Sequence, residues 1–277
     1  MTVMNVSPEV SVVIVSHNHA PYLPACLASL APERQAVALE VFVVDNGSTD
    51  GSAAIVRDHF PWVTLLENQT RRGFAANNNQ ALRRGRGRYA LILNPDTEVC
   101  AGALEALIEF ADAHAQVGMC GPQLLFPDGT IQPSCRRFPT VGSVLARRTP
   151  LRRWLWTSTL NARHLMSDFD HSQIARVDWL LGACLFVRRE FLRTVGLMDE
   201  GYFLYVEDID WAFRGWKQKW EVMYFPAARV IHHHLAVSDR KLFSRHMLLH
   251  LQSIWRYYRK HLAPAWFRLR VAPERLP

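Results

Sequence analysis

The chain has 277 residues, half of them apolar, and a formal net charge of +7. That is enough apolar material for one large core or two smaller ones, and it excludes a disordered or low-complexity chain. There is no basic-plus-apolar leader and no apolar run of about 18 residues, and the five scattered cysteines contain no C-x-x-C pair, so secretion, a membrane span, a disulfide framework and a zinc site are unsupported and the expected compartment is the cytoplasm.

The first 120 residues alternate strand and helix patterns, the signature of βαβ units and a largely parallel sheet. Ser11 to Ser16 reads as a strand that stops at His17-Asn18. Leu23, Cys26, Leu27 and Leu30 then fall at i, i+3, i+4, i+7, so one helix face is apolar. Val41 to Val44 is a second strand, ended by Asp45 and the turn-forming Asn46-Gly47-Ser48-Thr49-Asp50-Gly51. Ile55, Val56 and Phe60 mark a helix, Val63 to Leu66 a short strand, and Ala75 to Arg84 a helix ended by Gly85. Tyr89 to Leu93 is a strand buried on both faces, and Pro95 cannot continue a central ladder, so Asp96 is delivered just beyond its carboxyl end. A helix burying Ala103, Leu104, Leu107, Ile108 and Ala111 follows.

From Gly121 the rhythm changes. Asp128-Gly129 marks a hairpin turn, and between Asp128 and Asp168 lie seven arginines (Arg136, Arg137, Arg147, Arg148, Arg152, Arg153, Arg163) with no acid, where no element is predicted. Trp179 to Arg188 reads as a strand around Gly182, Arg189 to Val195 as a helix, Glu207 to Lys219 as another. Glu221 to Phe225 and Arg229 to His233 are two short strands. Leu242, Met247, Leu248, Leu251, Ile254, Trp255 and Tyr258 recur at helical spacing with Arg240, Lys241, Arg245, Arg256, Arg259 and Lys260 between them. Either that helix packs on the main domain with a solvated basic face, or it contacts an anionic membrane surface.

Three strands ending in polar side chains describe one site, because ligands of open α/β sheets bind beyond the carboxyl ends of the strands. Glu207, Asp208 and Asp210 open a helix. Acids there are often only dipole partners, but the aromatic approach from Tyr202 to Val206 would half-bury them, and a desolvated carboxylate in a cleft suits a general base. His232-His233-His234 is either a polar strand end or a metal site, with His232 and His234 on one face and His233 on the other.

The ordered blocks Val13-Ile14-Val15-Ser16-His17-Asn18, Val43-Val44-Asp45-Asn46-Gly47-Ser48, Arg72-Gly73-Phe74-Ala75-Ala76-Asn77-Asn78-Asn79, Leu93-Asn94-Pro95-Asp96-Thr97 and Glu207-Asp208-Ile209-Asp210 resemble the family 2 glycosyltransferases, over about Val10 to Ser238. Gly121-Pro122-Gln123-Leu124, Arg136-Arg137-Phe138-Pro139, Gly182-Ala183 and Val195-Gly196-Leu197-Met198-Asp199-Glu200 resemble its bacterial rhamnosyltransferase-like branch.

The resemblance implies an α/β, glycosyltransferase A-type fold: a largely parallel nucleotide-binding sheet flanked by helices over residues 1–120, a mixed acceptor-side and catalytic half over 121–236, and a basic amphipathic tail over 237–277. It implies that Asp45 binds the pyrimidine of the donor beside Ser16 and Asn18, that Gly73, Phe74, Asn78 and Asn79 wall the donor, and that Asp96 with His232, His233 being an equally permissible alignment, holds Mg²⁺ or Mn²⁺ on the diphosphate. Asn94 stands where the family's D-x-D motif has its first acid, which leaves fewer anionic ligands. Asp208 matches the catalytic base and Glu207 a positioning or acceptor-binding neighbour. The expected reaction is metal-dependent, inverting transfer of a sugar, rhamnose being the expected one, from a dTDP- or UDP-sugar to a glycan or polyprenyl-linked acceptor in cell-surface polysaccharide synthesis. The enzyme would be cytoplasmic or peripheral on the inner membrane face, with no nucleic acid as partner. The rivals are a sugar nucleotidyltransferase, which would need a Gly-rich phosphate loop after the first strand, and a non-catalytic basic protein that binds nucleic acid or membrane.

Overall fold

The computed structural model describes residues 7–139, 159–233, 245–264 and 267–276. Four parallel strands, β1 (Val10–Ser16), β2 (Leu39–Asp45), β3 (Val63–Glu67) and β4 (Tyr89–Leu93), stand in the order β3-β2-β1-β4. The crossovers are α1 (Leu23–Ala36), α2 (Ser52–His59) and α3 (Phe74–Leu82). Alternate residues of a strand serve opposite faces: Val13 and Ile92 enter one core, Val12 and Leu91 the other. Cover on both faces is why these strands read as unbroken Val/Ile/Leu runs.

The chain continues through β5 (Thr97–Val99), α4 (Ala103–Ala113), β6 (Val117–Leu125), β7 (Ile131–Gln132) and β8 (Cys135–Arg136). Then come α5 (Thr159–Leu165), β9 (Ala175–Arg176), β10 (Trp179–Leu180), β11 (Cys184–Arg188), α6 (Arg189–Thr194), α7 (Glu207–Lys217) and β12 (Glu221–His232). Last is α8 (Arg245–Tyr257), which runs into a π-helical turn at Tyr258–Leu262. Beyond β4 the sheet adds β11, β6, β12 and β5 in that order. β11 is antiparallel to both its neighbours, β6 and β12 are parallel, and β5 is antiparallel to β12. The boundary expected at residue 120 therefore falls inside β6, and both halves share one sheet. β8 and β10 form a separate antiparallel ribbon.

Several expected elements change shape. The helix expected to end at Gly85 closes at Leu82, where Arg83, Arg84 and Gly85 turn back onto Asn79 and Ala81. The single strand expected from Trp179 to Arg188 is two, because the chain leaves the β8 ribbon at Leu180 and enters the main sheet at Cys184. The two strands expected between Glu221 and His233 are one, with a register shift between Phe225 and Arg229 that absorbs Pro226. β5 is an unpredicted strand. The Asp128-Gly129 turn forms as expected, with Gly129 at a left-handed φ of 84° joining β6 to β7. In the arginine-rich connection Arg147, Arg148, Arg152 and Arg153 lie outside the described residues, as do His234, Arg240, Lys241 and Leu242.

Candidate active site

β1 is the switch point of the sheet, with β2 on one side and β4 on the other, so a crevice opens beyond the carboxyl ends of these strands. Ser16 and Asp45 are partners across the last rung of β1 and β2. Both are buried, and Ser16 Oγ and Asp45 Oδ1 find no hydrogen-bond partner in the protein. Two unsatisfied polar atoms on one rung call for a partner from outside the protein, a ligand or a water, because burial without a bond is costly. The other Asp45 oxygen accepts from the Ser48 amide at 3.0 Å, which sets the turn after β2. Asn18, at a left-handed φ of 58°, uses its side chain to accept from the Thr49 amide at 2.8 Å and so ties the two strand-end loops together.

α3 forms the next wall. Asn78 donates to the Phe74 carbonyl, and its buried Oδ1 has no partner. Gly73 caps the helix where the 202–203 segment crosses it: a Cβ there would lie 2.9 Å from backbone atoms of Phe203, whose carbonyl accepts from the Phe74 amide. Asn79 ties α3 to the segment around Met198. Its carboxamide is fully occupied on Met198 and Glu200, so it anchors the loop that leads to α7.

Beyond β4, Asp96 is 7% exposed and its Oδ1 lies 3.5 Å from His232 Nε2. Burial opposes the Asp96 charge, but His232 and the nearby His19 outweigh it and hold the carboxyl below the ordinary range. His232 Nδ1 is 2.8 Å from Gln132 Oε1, so it donates there and turns Nε2 toward Asp96. An Nε2 facing a carboxylate needs a proton or a cation between them, and a carboxylate, an imidazole and the half-buried Asn94 nearby form a donor set that suits Mg²⁺ or Mn²⁺. His233 instead contacts Glu98 at 2.6 Å, which separates the two histidines' roles.

α7 begins under strain: Tyr205 and Val206 both have left-handed φ, 69° and 72°, a conformation that a β-branched residue rarely adopts away from functional sites. The next residues are Glu207 and Asp208. Burial and the Asp208 charge push Glu207 well up, and its buried Oε2 is unpartnered. Asp208 Oδ2 accepts from the Gly182 amide at 3.2 Å; burial pushes its carboxyl up to about 6 against those backbone bonds and the charge of Arg136. The neighbouring Ala183 carbonyl accepts from the Asn94 amide at 2.9 Å. A single turn, Gly182-Ala183, thus touches the metal-motif loop with one residue and the candidate base with the next.

Asp210, expected as part of the same acidic cluster, is a fully buried structural acid. Arg214, Lys260, His261 and the Tyr202 hydroxyl converge on it. His19, Gln132 and Arg136 do not stand out in the sequence as site residues; for His19 the i, i+2 spacing from His17 at a strand end is the available signal.

Residues 11–166 match the family model for glycosyl transferase family 2. The chain is a family 2 glycosyltransferase. It is 32% identical over 260 residues to the N-acetylglucosaminyl-diphospho-decaprenol L-rhamnosyltransferase of Mycobacterium tuberculosis, covering 88% of this chain and 82% of that one. It is 28% identical over 263 residues to the rhamnosyltransferase WbbL of Escherichia coli, covering 90% and 92%. Among solved structures it superposes with a TM-score of 0.60 on the mannosyltransferase PcManGT of Pyrobaculum calidifontis, in complex with GDP-Man and Mn²⁺, at 23% identity over 95% of this chain and 68% of that one. This glycosyltransferase therefore has the expected α/β fold, and the nucleotidyltransferase and non-catalytic readings fall away. Among the described residues no helix is long and apolar enough to cross a membrane.

Proposed function

We propose that this glycosyltransferase moves rhamnose from a pyrimidine nucleotide diphosphate to a polyprenyl-linked or glycan acceptor, with inversion and with a divalent cation. The observation that carries this reading is the Gly182-Ala183 turn, which touches Asp208 with one amide and Asn94 with the next carbonyl. Leaving-group stabilisation and base then sit on two sides of one short segment, as an in-line displacement requires.

Ser16 and Asp45 bind the base of the donor through their unpartnered oxygens, with Asn78 on the opposite wall. Asp96 and His232 would hold a divalent ion, which would supply positive charge at the departing diphosphate. Asp208 accepts the proton of the acceptor hydroxyl as that oxygen attacks the anomeric carbon, and the bond electrons leave with the nucleotide diphosphate. A base whose carboxyl is pushed up to about 6 is both ionised and basic near neutral pH. Glu207 is buried beside Asp208, and burial with the Asp208 charge pushes its carboxyl well up, which favours a protonated group that donates a hydrogen bond toward the acceptor. The relatives' names support rhamnose and a lipid-linked acceptor. An exposed stripe on α8, Leu248, Leu251 and Trp255, supports contact with the membrane that would hold such an acceptor.

A panel of nucleotide sugars, scored by release of nucleotide diphosphate with and without chelator, tests the reading. dTDP-rhamnose is expected to turn over, chelator to silence it, Mg²⁺ or Mn²⁺ to restore it, and Asp96→Ala to abolish it. Full activity in chelator would refute the metal, and turnover of purine donors alone would refute the base pocket.

A further inference from the structure

Sugar transfer leaves one feature of the molecule unused. A cleft of about 580 Å³ lies between the second half of α7 and the tail, and six basic side chains line it: Arg214, Lys217, Lys260, His261, Arg268 and Arg270. The rest of its wall is Leu269, Val271 and Ala272, so no acid faces it. The carboxylates nearest in the network lie behind the wall and are already shared. Asp210 takes Arg214, Lys260 and His261, while Asp199 takes Arg256 and Lys260. Two carboxylates thus face three obligate cations before Lys217, Arg268 and Arg270 are counted. Among the described residues, no carboxylate pairs with those three.

The cations are also held in place. Arg214 and Lys260 are at least nine-tenths buried and fixed by their acids. Arg268 donates through Nε and Nη2 to the Ala263 carbonyl at 3.2 and 3.1 Å, and Lys217 Nζ sits 4.6 Å from the centre of the Phe213 ring. Burial first, then the Arg268 and Lys260 charges, push the Lys217 ammonium down against the opposing charge of Asp210, so two cations crowd it. Such crowding is relieved by an anion with several acceptor oxygens, and guanidinium forks match phosphate in both geometry and charge.

We propose that this cleft is a binding site for a phosphate-class oxyanion, distinct from the donor site. The same chemistry is offered by free phosphate and by the headgroup of an anionic phospholipid. The inference stands on the cleft alone and does not depend on the donor, the metal or the acceptor.

Calorimetric titration of the full chain with inorganic phosphate, in chelator so that no metal draws the anion to Asp96, is the test. One saturable site is expected, and the triple variant K217Q/R268Q/R270Q is expected to lose about ten-fold or more in affinity with an unchanged circular-dichroism spectrum. Should the triple variant fold poorly, the single variants K217Q and R270Q, each on an exposed side chain, are expected to weaken phosphate binding separately. Co-sedimentation with phosphatidylglycerol and phosphatidylcholine vesicles separates the sources. Loss of phosphatidylglycerol binding in the variants assigns a headgroup, whereas vesicle behaviour unchanged beside lost phosphate binding assigns a free phosphate. The absence of saturable phosphate binding by the wild-type protein, or equal affinity in every variant, overturns the proposal.

Discussion

Replacing Asp208 by Asn is expected to make the protein more stable at neutral pH while removing its activity. The carboxyl has an ordinary value of 3.8 and is pushed up to about 6 in the fold, burial being the first cause. The folded state therefore binds this proton more tightly than the unfolded chain does. The sign is opposite to that of a salt-bridged acid: nothing is lost below the unfolded value, stability falls as pH rises from one value to the other, and the full cost is present above the folded value. A gap of about two units, at ~1.36 kcal/mol each, amounts to about 3 kcal/mol at pH 7. D208N carries no charge to desolvate, but it forfeits one acceptor. Both Asp208 oxygens accept amide bonds, from Ile209 and Gly182, and a carboxamide offers only one oxygen, which returns about 1 kcal/mol. The net expectation is a gain of about 2 kcal/mol at neutral pH. Denaturant unfolding of wild type and variant at about pH 7.5 and about pH 4 measures it, beside a turnover loss of about 10²- to 10⁴-fold. The gain should vanish at the acid pH. A variant that is no more stable at neutral pH, or a gain that is equal at both, would show that Asp208 is not desolvated as described.

Three further outcomes follow from the site. The pH profile of kcat/KM should lose its activity on the acid side with an inflection near 6, and Arg136→Gln should move that limb upward, since the Arg136 charge is what lowers Asp208 among the side chains; a limb near the ordinary carboxylate value would contradict both. Gly73→Ala forces a methyl against the Phe203 backbone at 2.9 Å, so a loss of about 1–3 kcal/mol in unfolding free energy and weaker nucleotide binding are expected by denaturation and calorimetry. Leu251→Ser with Trp255→Ser should abolish co-sedimentation with anionic vesicles and leave transfer to a short soluble acceptor intact; unchanged sedimentation would remove α8 from the membrane.

β1 to β4 were legible because each is a mainly apolar run closed by a polar residue, a pattern that local sequence contains. What was not legible depends on partners. β5 has three residues and no period of its own, and it exists because β12 pairs with it. β10 and β11 read as one run because both are apolar; only their different partners, β8 and β4, divide them. In the site, Asp96 and Asp208 stand out as acids behind apolar segments, while Gln132 gains meaning only from His232, 100 positions away. The choice among the three histidines was open in the sequence for the same reason: alternation separates His232 from His233, but Asp96 and Glu98 decide what each one does.

Charge in the tail was the hardest to read, because a count of basic residues does not distinguish solvated from paired ones. Arg256 and Lys260 look like part of a basic outer face, yet they bind Asp199, and Lys260 also binds Asp210. Removing one partner of such buried pairs typically costs about 3–5 kcal/mol, so charge reversal there would report on folding and not on a surface. The apolar residues of the same helix divide likewise. Ile254 and Tyr257 pack on the core beside α7, while Leu248, Leu251 and Trp255, at i, i+3 and i+7, stay exposed. Among the described residues, a helix that is apolar on both sides has only one of its apolar faces buried. The inner face joins the tail to α7, and the outer face is the one we propose for a membrane surface.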